Sequence, residues 1–418
     1  MRRSLAPAVS MKEVWAWSMF DFANSGYTTV VITAVFSAYF VSIVGENQPW
    51  ATLAWTAALS LSYAAILVTA PLIGAWADEH AAKKKLLFLS TAGCVFFTAL
   101  LYFAGPGAVA YALLLVILSN YFFGTGENLI AAFLPELAES RAMGRVSGWG
   151  WAFGYLGGLV ALGICLFYIT SNPKPHIPAT MLITAAFFAL AAAPTFLFLK
   201  ERATPQPRVN AWHRLMQTYR SSARYRDLRQ FLLCLLFYQA GITTVISLAA
   251  IYADQAMKFT MQQTIVLILV VNVTAAVGAF AFGYLQDAIG HVRAVAITLV
   301  GWVAMVVIAF FSTSVLQFWI AANLAGLCMG ASQAAGRAIV GYLAPPARVA
   351  EFFGLWGVAV KAASIVGPLT YGVVTWAFAG NHRLAILATG LYFVAGLVLL
   401  RGIDTERGRA AALATELV

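Results

Sequence analysis

The stretch Gly74-Ala-Trp-Ala-Asp78 returns as Gly283-Tyr-Leu-Gln-Asp287, which lies 209 residues further along a chain of 418 residues. A second stretch, GYTTVV at 26–31, returns as GITTVI at 241–246 with an offset of 215. Both offsets are close to half the length of the chain. Small changes of length between two parallel repeats explain the difference between them. The sequence therefore predicts two like halves that follow one another in the chain.

Apolar segments fill both halves, because 61% of the residues are hydrophobic and only 10% are charged. A helix needs about 20 mostly apolar residues to cross the hydrocarbon core, where lipid offers no partner to an unpaired backbone group. We predict an all-α membrane protein with 12 transmembrane helices in two six-helix bundles. The predicted spans are 15–43, 51–77, 86–104, 108–133, 147–170, 179–199, 229–252, 262–285, 293–312, 316–343, 351–378 and 382–401.

The distribution of basic residues predicts the orientation, since Lys and Arg stay on the cytoplasmic side of the membrane. With both termini in the cytoplasm, 21 of the 26 basic residues fall in cytoplasmic segments. The net charge of +10 is thus explained by topology and by attraction to anionic membrane lipids, without a nucleic-acid partner. We expect a multi-pass protein of a bacterial inner membrane.

Four segments organise the chain. The N-terminal bundle is predicted at 1–199, the C-terminal bundle at 229–401, and a cytoplasmic tail at 402–418. The connection 200–228 is predicted to be a cytoplasmic linker that contains an amphipathic helix in the membrane interface. Its apolar side chains recur at helical spacing, and they are Trp212, Leu215, Met216 and Tyr219.

Polar side chains form stripes on several predicted spans. In the first span Asp21, Asn24 and Thr28 recur at helical spacing on an otherwise apolar helix, and such a stripe cannot face lipid. We predict that these stripes bind the substrate, although polar packing between helices is the alternative for any single residue. The other uncharged residues predicted at this site are Asn128, Gln239, Thr243 and Gln333.

Four charged residues lie inside predicted spans, where each costs about 2.5–3.5 kcal/mol even on the lower scales. Asp21 and Glu127 are predicted to carry protons, and Arg337 and Lys361 to bind substrate. Glu127 and Arg337 occupy matched places in the two halves, which fits a gate or a fixed ion pair. Asp21 has a structural alternative, to orient Asn24 or cap a helix break. Lys361 would hold a carboxylate or phosphate, or neutralise Asp21.

Glycines are concentrated in the fifth predicted span, at positions 148, 150, 154, 157 and 158. A glycine on a helix surface lets the backbone of a second helix come close, and such contacts hold helices together in lipid. We therefore predict that this span packs tightly against a neighbour. No paired catalytic set, phosphate-binding loop or metal-ligand cluster is visible in the sequence, so neither an enzyme nor a cofactor is predicted.

The duplicated 12-span pattern with an acidic G-x-x-x-D loop in each half resembles the major facilitator superfamily. Within it, the chain is similar to the vacuole effluxer-like branch. The resemblance implies a secondary transporter, and it implies that loop residues Asp78, Asp287 and Arg293 gate the cytoplasmic side. Four segments carry it, namely FDFANSGYTTVVITAVFSAYF at 20–40, GRVSGWGWAFGYLGG at 144–158, SQAAGRA at 332–338 and EFFGLWGVAVKAASIVGP at 351–368.

The predicted function is secondary active transport of a small zwitterionic or anionic metabolite, such as an amino acid, by alternating access. Proton coupling is expected, and the working form is expected to be a monomer. One alternative is an exporter or flippase of amphipathic substrates such as drugs or lysolipids. An alternative of another class is a membrane receptor or scaffold that does not transport.

Overall fold

The computed structural model describes residue 5 and residues 9–137, 143–171, 176–202, 225–344 and 349–414. All regular elements within these ranges are helices, and 12 of those helices are long and apolar enough to cross a membrane. The predicted fold class is thereby confirmed. The spanning helices are α1 Met11–Tyr27, α2 Pro49–His80, α3 Lys83–Leu100, α4 Val109–Ala131, α5 Met143–Ser171, α6 Ala179–Phe198, α7 Arg226–Met257, α8 Met261–Ile289, α9 His291–Phe311, α10 Val315–Leu343, α11 Val349–Ala377 and α12 His382–Leu400.

A shorter helix, α13 Thr405–Ala414, follows α12 within the segment that was predicted as a tail. Asp404 caps its first turn, because Oδ1 of Asp404 accepts the backbone N–H groups of Glu406 and Arg407, each at 3.0 Å. The amphipathic helix predicted in the linker falls on 203–224, outside the described residues, and it stays a prediction.

The first span continues beyond α1 to Val44 through π-helical turns at Thr28–Ala34 and Phe40–Val44. A run of β-branched residues covers 28–33 and weakens the α-helical preference there. The related GITTVI stretch stays α-helical within α7, so branching alone does not produce the π turns. Such turns are often found at functional sites. The first of the two begins at Thr28, which belongs to the predicted polar stripe.

The chain separates into two compact units, and each is described by itself. The first comprises Met1–Val209 with Ala249–Leu269, and the second comprises Asn210–Leu248 with Val270–Val418. The end of α7 and the start of α8 therefore pack within the first unit. The predicted domain boundaries themselves stay a prediction.

The first span is the innermost helix of the first unit. In an apolar window of 18 residues, 83% of this span is buried. The corresponding share is 61% for the span of α7 and 33–50% for the other spans. Side chains tie it to two neighbouring helices. The indole N–H of Trp17 donates to the carbonyl of Ile130 at 2.9 Å, and the hydroxyl of Thr195 donates to the carbonyl of Ala16 at 2.7 Å. The repeat thus places the most buried span first in each half.

The predicted tight contact of the fifth span is confirmed, and its partner is α1. A Cβ atom added at Gly157 would collide with the backbone carbonyl of Phe22, and one added at Gly154 would lie 2.9 Å from Oγ of Ser25. Only a helix without side chains at these positions lets the α1 backbone come so near.

The second unit repeats this arrangement between α7 and α11. A Cβ atom at Gly367 would collide with the carbonyl of Ala240, and Gly367 follows Gly157 by 210 residues. Between α8 and α10, a Cβ at Gly330 would collide with the carbonyl of Ala275. Both units are therefore held by glycine contacts with a facing backbone.

Gly157→Ala should destabilise the first unit by about 1–3 kcal/mol, because the added methyl group forces α1 away from α5. Gly163→Ala is the matched control in the same helix, since a Cβ there has nothing within 4 Å. Thermal unfolding of the protein in detergent, followed by tryptophan fluorescence, should show a lower midpoint for Gly157→Ala alone. Equal midpoints for the two variants would contradict the proposed role of the glycine contact.

Candidate functional site

Asp21 lies on the face of α1 that packs against α5, and it is half-buried. A Cβ atom at Gly150 would collide with Oδ2 of Asp21, so the carboxylate lies directly over that glycine. One turn further along, Ser25 lies over Gly154. The structure thus brings two polar residues of the first span against the glycine face of α5.

Asn24 is 7% exposed, and its Oδ1 has no hydrogen-bond partner among the described residues. A buried polar atom without a partner costs about 1–3 kcal/mol, so its presence in the innermost helix requires an explanation. Thr28, the next member of the predicted stripe, is half-buried and begins the first π-helical turn. A substrate donor would satisfy the open oxygen of Asn24.

Glu127 and Asn128 lie near the end of α4, where Glu127 is half-buried and Asn128 is exposed. Successive helical residues point about 100° apart, so these two side chains do not share a face. The predicted roles of Glu127 in proton transfer and gating, and of Asn128 in substrate binding, stay predictions.

The second unit places its predicted site residues on three helices. Gln239 on α7, Gln333 on α10 and Lys361 on α11 are all half-buried. The hydroxyl of Thr243 donates to the carbonyl of Gln239 at 2.7 Å, so it is engaged with its own helix. The side chain of Arg337 lies outside the described part of the structure, and its predicted roles as substrate ligand and gate stay predictions.

The two G-x-x-x-D loops end at residues with a positive φ in equivalent positions. Ala81 follows α2 with a φ of 46°, and Gly290 follows α8 with a φ of 89°. A side chain in this conformation costs about 1–2 kcal/mol, so the first turn is the more strained. Arg293 is exposed, while the side chains of Asp78 and Asp287 lie outside the described residues, so the predicted gating roles stay predictions.

An ionic network that the sequence prediction missed holds the end of the first unit where α1 begins. Arg202, which follows α6, pairs with Glu13 at the start of α1, with a shortest distance of 2.8 Å between Nη1 and Oε2. The backbone N–H of Arg202 donates to Glu136 at 2.8 Å, and Nζ of Lys83 lies 2.5 Å from Oε1 of Glu136. The hydrogen bond to Glu13 raises the pKa of the Arg202 guanidinium. Arg202 therefore stays charged, and it connects α1 to the segment after α6.

The same segment also caps α3. The two carboxylate oxygens of Glu201 accept the backbone N–H groups of Lys83 and Lys84 at 2.6 and 3.1 Å. A carboxylate at a helix N-terminus satisfies free N–H groups and interacts favourably with the helix dipole. The ammonium group of Lys84 in turn donates to the carbonyl of Leu199 at 2.6 Å.

The second unit has its own version of this ion pair. Arg407, after α12, binds both oxygens of Asp227 at the start of α7, with distances of 2.9 Å from Nε and 2.5 Å from Nη2. The backbone N–H of Asp404 donates to the same carboxylate at 2.9 Å. The hydrogen bond to Asp227 raises the pKa of Arg407. In each half, an acidic residue that begins the first span thus binds an Arg beyond the last span.

Two signals in the sequence point to these pairs. Ser10 and Glu13 form a capping box, which marks the beginning of α1 and places an acidic side chain there. Glu13 and Asp227 are 214 residues apart, and Arg202 and Arg407 are 205 apart, so both members follow the repeat. The sequence cannot show that the members of a pair meet, because Glu13 and Arg202 are separated by 189 residues.

Comparison with known proteins identifies a matching family and relatives of this chain. The family model described as "Vacuole effluxer Atg22 like" matches residues 51–413. The MFS-type transporter YxiO of Bacillus subtilis (strain 168), itself uncharacterized, is 29% identical over 412 residues, which cover 94% of this chain and 95% of YxiO. Autophagy-related protein 22 of Yarrowia lipolytica is 25% identical over 338 residues. That match covers 71% of this chain but only 56% of the yeast protein, so the chain spans little more than half of that relative.

Solved transporter structures share the fold. A mutant of the nucleoside transporter NupG superimposes with a TM-score of 0.73 at 12% identity, covering 94% of this chain and 98% of NupG. A bacterial homologue of the human lysosomal transporter Spinster gives a TM-score of 0.71 at 12% identity, covering 96% and 97% of the two chains. At this level of identity the likeness establishes the fold and leaves the substrate open.

Arg202→Gln should lower the stability of the protein by about 1–3 kcal/mol, because the buried carboxylate of Glu13 loses its charged partner. Lys200→Gln is the control, since Lys200 is exposed and lies two residues away. Thermal unfolding in detergent measures the difference. The double variant Glu13→Gln with Arg202→Gln should recover part of the loss, because no unpaired charge remains. A double variant as unstable as the sum of the single variants would argue against a direct pair.

Proposed function

Because the chain belongs to the Atg22-like vacuole effluxer family, whose relatives and structural neighbours are membrane transporters, we propose that it is a secondary active transporter of a small zwitterionic or anionic metabolite. An amino acid is the leading substrate class. The proposed mechanism is alternating access driven by protons, in a monomer that resides in a bacterial inner membrane.

The open Oδ1 of Asn24 is the observation that carries the substrate class. This oxygen is buried in the innermost helix and has no partner among the described residues, so it can accept a hydrogen bond from a substrate ammonium or amide group. This oxygen therefore favours a substrate that carries an ammonium or amide donor.

Lys361 of the second unit supports an anionic group on the substrate. It is half-buried on α11, one of the apolar spanning helices. An ammonium group at such a place costs about 2.5–3.5 kcal/mol even on the lower scales, so it is retained only for a function or a strong partner. A substrate carboxylate would supply that function, and the half-buried Gln333 offers a further hydrogen-bond donor in the same unit.

A two-step experiment tests this function. The protein in detergent is first screened by thermal shift against amino acids, organic acids, sugars, nucleosides, lysolipids and cationic drugs. Ligands that raise the midpoint are then used radiolabelled in counterflow assays with proteoliposomes. We expect amino acids or related zwitterions to stabilise the protein and to exchange across the bilayer. Stabilisation and exchange by lysolipids or drugs alone would contradict the proposed substrate class.

Asp21→Asn should abolish uptake driven by a pH gradient and leave substrate exchange without a gradient intact, because a neutral amide cannot carry the proton. Uptake and counterflow in the same proteoliposomes measure the two activities. Ser25→Ala, one turn further along α1, is the matched control and should retain both. Equal loss of both activities in Asp21→Asn would assign a structural role to Asp21.

Lys361→Gln should raise the KM for a zwitterionic substrate by about tenfold or more, since a charge-assisted hydrogen bond contributes about 1.5–3 kcal/mol. Transport of the corresponding amine, which has no carboxylate, should change little. Counterflow with the acid and the amine measures both. An equal effect on the two substrates would show that Lys361 does not bind the carboxylate.

A further inference from the structure

A separate cavity of about 380 Å³ lies in the first unit, beside the C-terminal end of the first span. Its walls come from the end of the first span, the residues before α6 and the junction between α7 and α8. None of the residues proposed above for the transported substrate lines it. The cavity is lined by Ala38, Tyr39, Ser42, Ile43, His176, Ile177, Pro178, Asp254, Phe259, Thr260, Met261 and Thr264.

Hydrogen bonds fix the wall that α7 and α8 contribute. The backbone N–H of Phe259 donates to the carbonyl of Ala253 at 3.0 Å. The amide Nε2 of Gln255 donates to Oδ1 of Asn47 and to Oδ2 of Asp254, each at 2.6 Å. This wall is therefore formed before a ligand arrives, which keeps the cost of ordering on binding low.

Thr264 points to a ligand. Its side chain is 1% exposed, and its Oγ1 has no hydrogen-bond partner among the described residues. Other buried threonines of this chain, such as Thr244 and Thr389, donate to the carbonyl four residues earlier at 2.6 and 3.0 Å. Thr264 lines the cavity and makes no such bond, so a group inside the cavity is the natural partner of its hydroxyl.

The charge of the lining selects the kind of ligand. Among the described residues that form the wall, Asp254 is the one carboxylate, and Lys and Arg are absent. His176 also lines the cavity, with its ring in an edge contact with Tyr102 at 5.2 Å between centroids. Lys258 is exposed nearby and attracts the Asp254 carboxylate electrostatically. The wall therefore favours a cation that competes with Lys258.

We propose that this cavity is a binding site for a small organic amine. The ammonium group pairs with Asp254, and a second polar group of the ligand bonds to Thr264. The apolar body lies against Ile43, Ile177 and Met261. A cavity of this size accepts an amine of about ten non-hydrogen atoms, since small-molecule sites commonly have volumes of about 300–1,000 Å³. This site is independent of the proposed transport function, because its occupation needs no transport step.

Three probes of matched size test the site on the full-length protein in detergent, by isothermal titration calorimetry. Phenethylamine has the amine and the apolar body, phenylalaninol adds a hydroxymethyl group, and 3-phenylpropionate reverses the charge. We expect saturable binding of both amines, tighter for phenylalaninol, and none of 3-phenylpropionate. Absence of saturable amine binding below about 10 mM, or equal binding of the acid, would overturn the proposal.

Variants locate the binding. Asp254→Asn should weaken both amines by about tenfold or more, as expected for the loss of a charge-assisted hydrogen bond. Lys258→Asn should strengthen both, because it removes the competing charge, and Asn accepts the left-handed backbone with a φ of 58° found there. Glu46→Gln is the control for net charge, since Glu46 is exposed, lies just after the first span and does not line the cavity. Equal affinities of Asp254→Asn and Glu46→Gln would overturn the proposal.

Thr264→Val provides a test that misfolding cannot imitate. Removing a buried hydroxyl without a partner should leave the thermal midpoint of the free protein unchanged or higher. The same change should bring the affinity for phenylalaninol down to that for phenethylamine and leave phenethylamine binding intact. A preference for phenylalaninol that survives in Thr264→Val would remove Thr264 from the site.

Discussion

Close approach of helix backbones is the contact on which this structure depends. Lipid offers no hydrogen-bond partner, so each span has to satisfy its own backbone groups as a helix. Burial of apolar surface then gives little preference for one helix partner over lipid, and packing decides which helices associate. Gly157 on α5 and Gly367 on α11 supply that packing at equivalent points, where each faces the carbonyl of Phe22 or Ala240. The duplication thus preserves the contact together with the hydropathy pattern.

This contact also determines the environment of the polar residues on the first span. Asp21 and Ser25 lie over the glycines of α5, whereas Asn24 keeps an oxygen without a partner among the described residues. Helical spacing alone places these residues in one stripe. Packing nevertheless gives Asp21 and Ser25 surroundings that differ from those of Asn24. That difference supports the proposal that Asp21 transfers a proton and Asn24 binds the substrate.

Ion pairs complement the glycine contacts at the ends where α1 and α7 begin. Glu13 with Arg202, and Asp227 with Arg407, each join the beginning of a first span to the segment after a sixth. Glu13 and Asp227 are 5% and 3% exposed, so an unpaired carboxylate at either place would be costly. Each unit is thus held at this end by its own ion pair.

The sequence by itself determined the helical class, the number of spans, the duplication and the glycine face of α5. Hydropathy and spacing are local properties of the sequence. They are sufficient to predict the spans, because a helix that crosses a membrane must be long and apolar. The sequence also singled out Asp21, Asn24 and Lys361, because polar groups are rare in apolar spans. Only the tertiary structure decided which residues meet. The pairing of Glu13 with Arg202 and the cavity lined by Thr264 join segments far apart in the chain, and side-chain contacts at that range leave no periodic trace in the sequence.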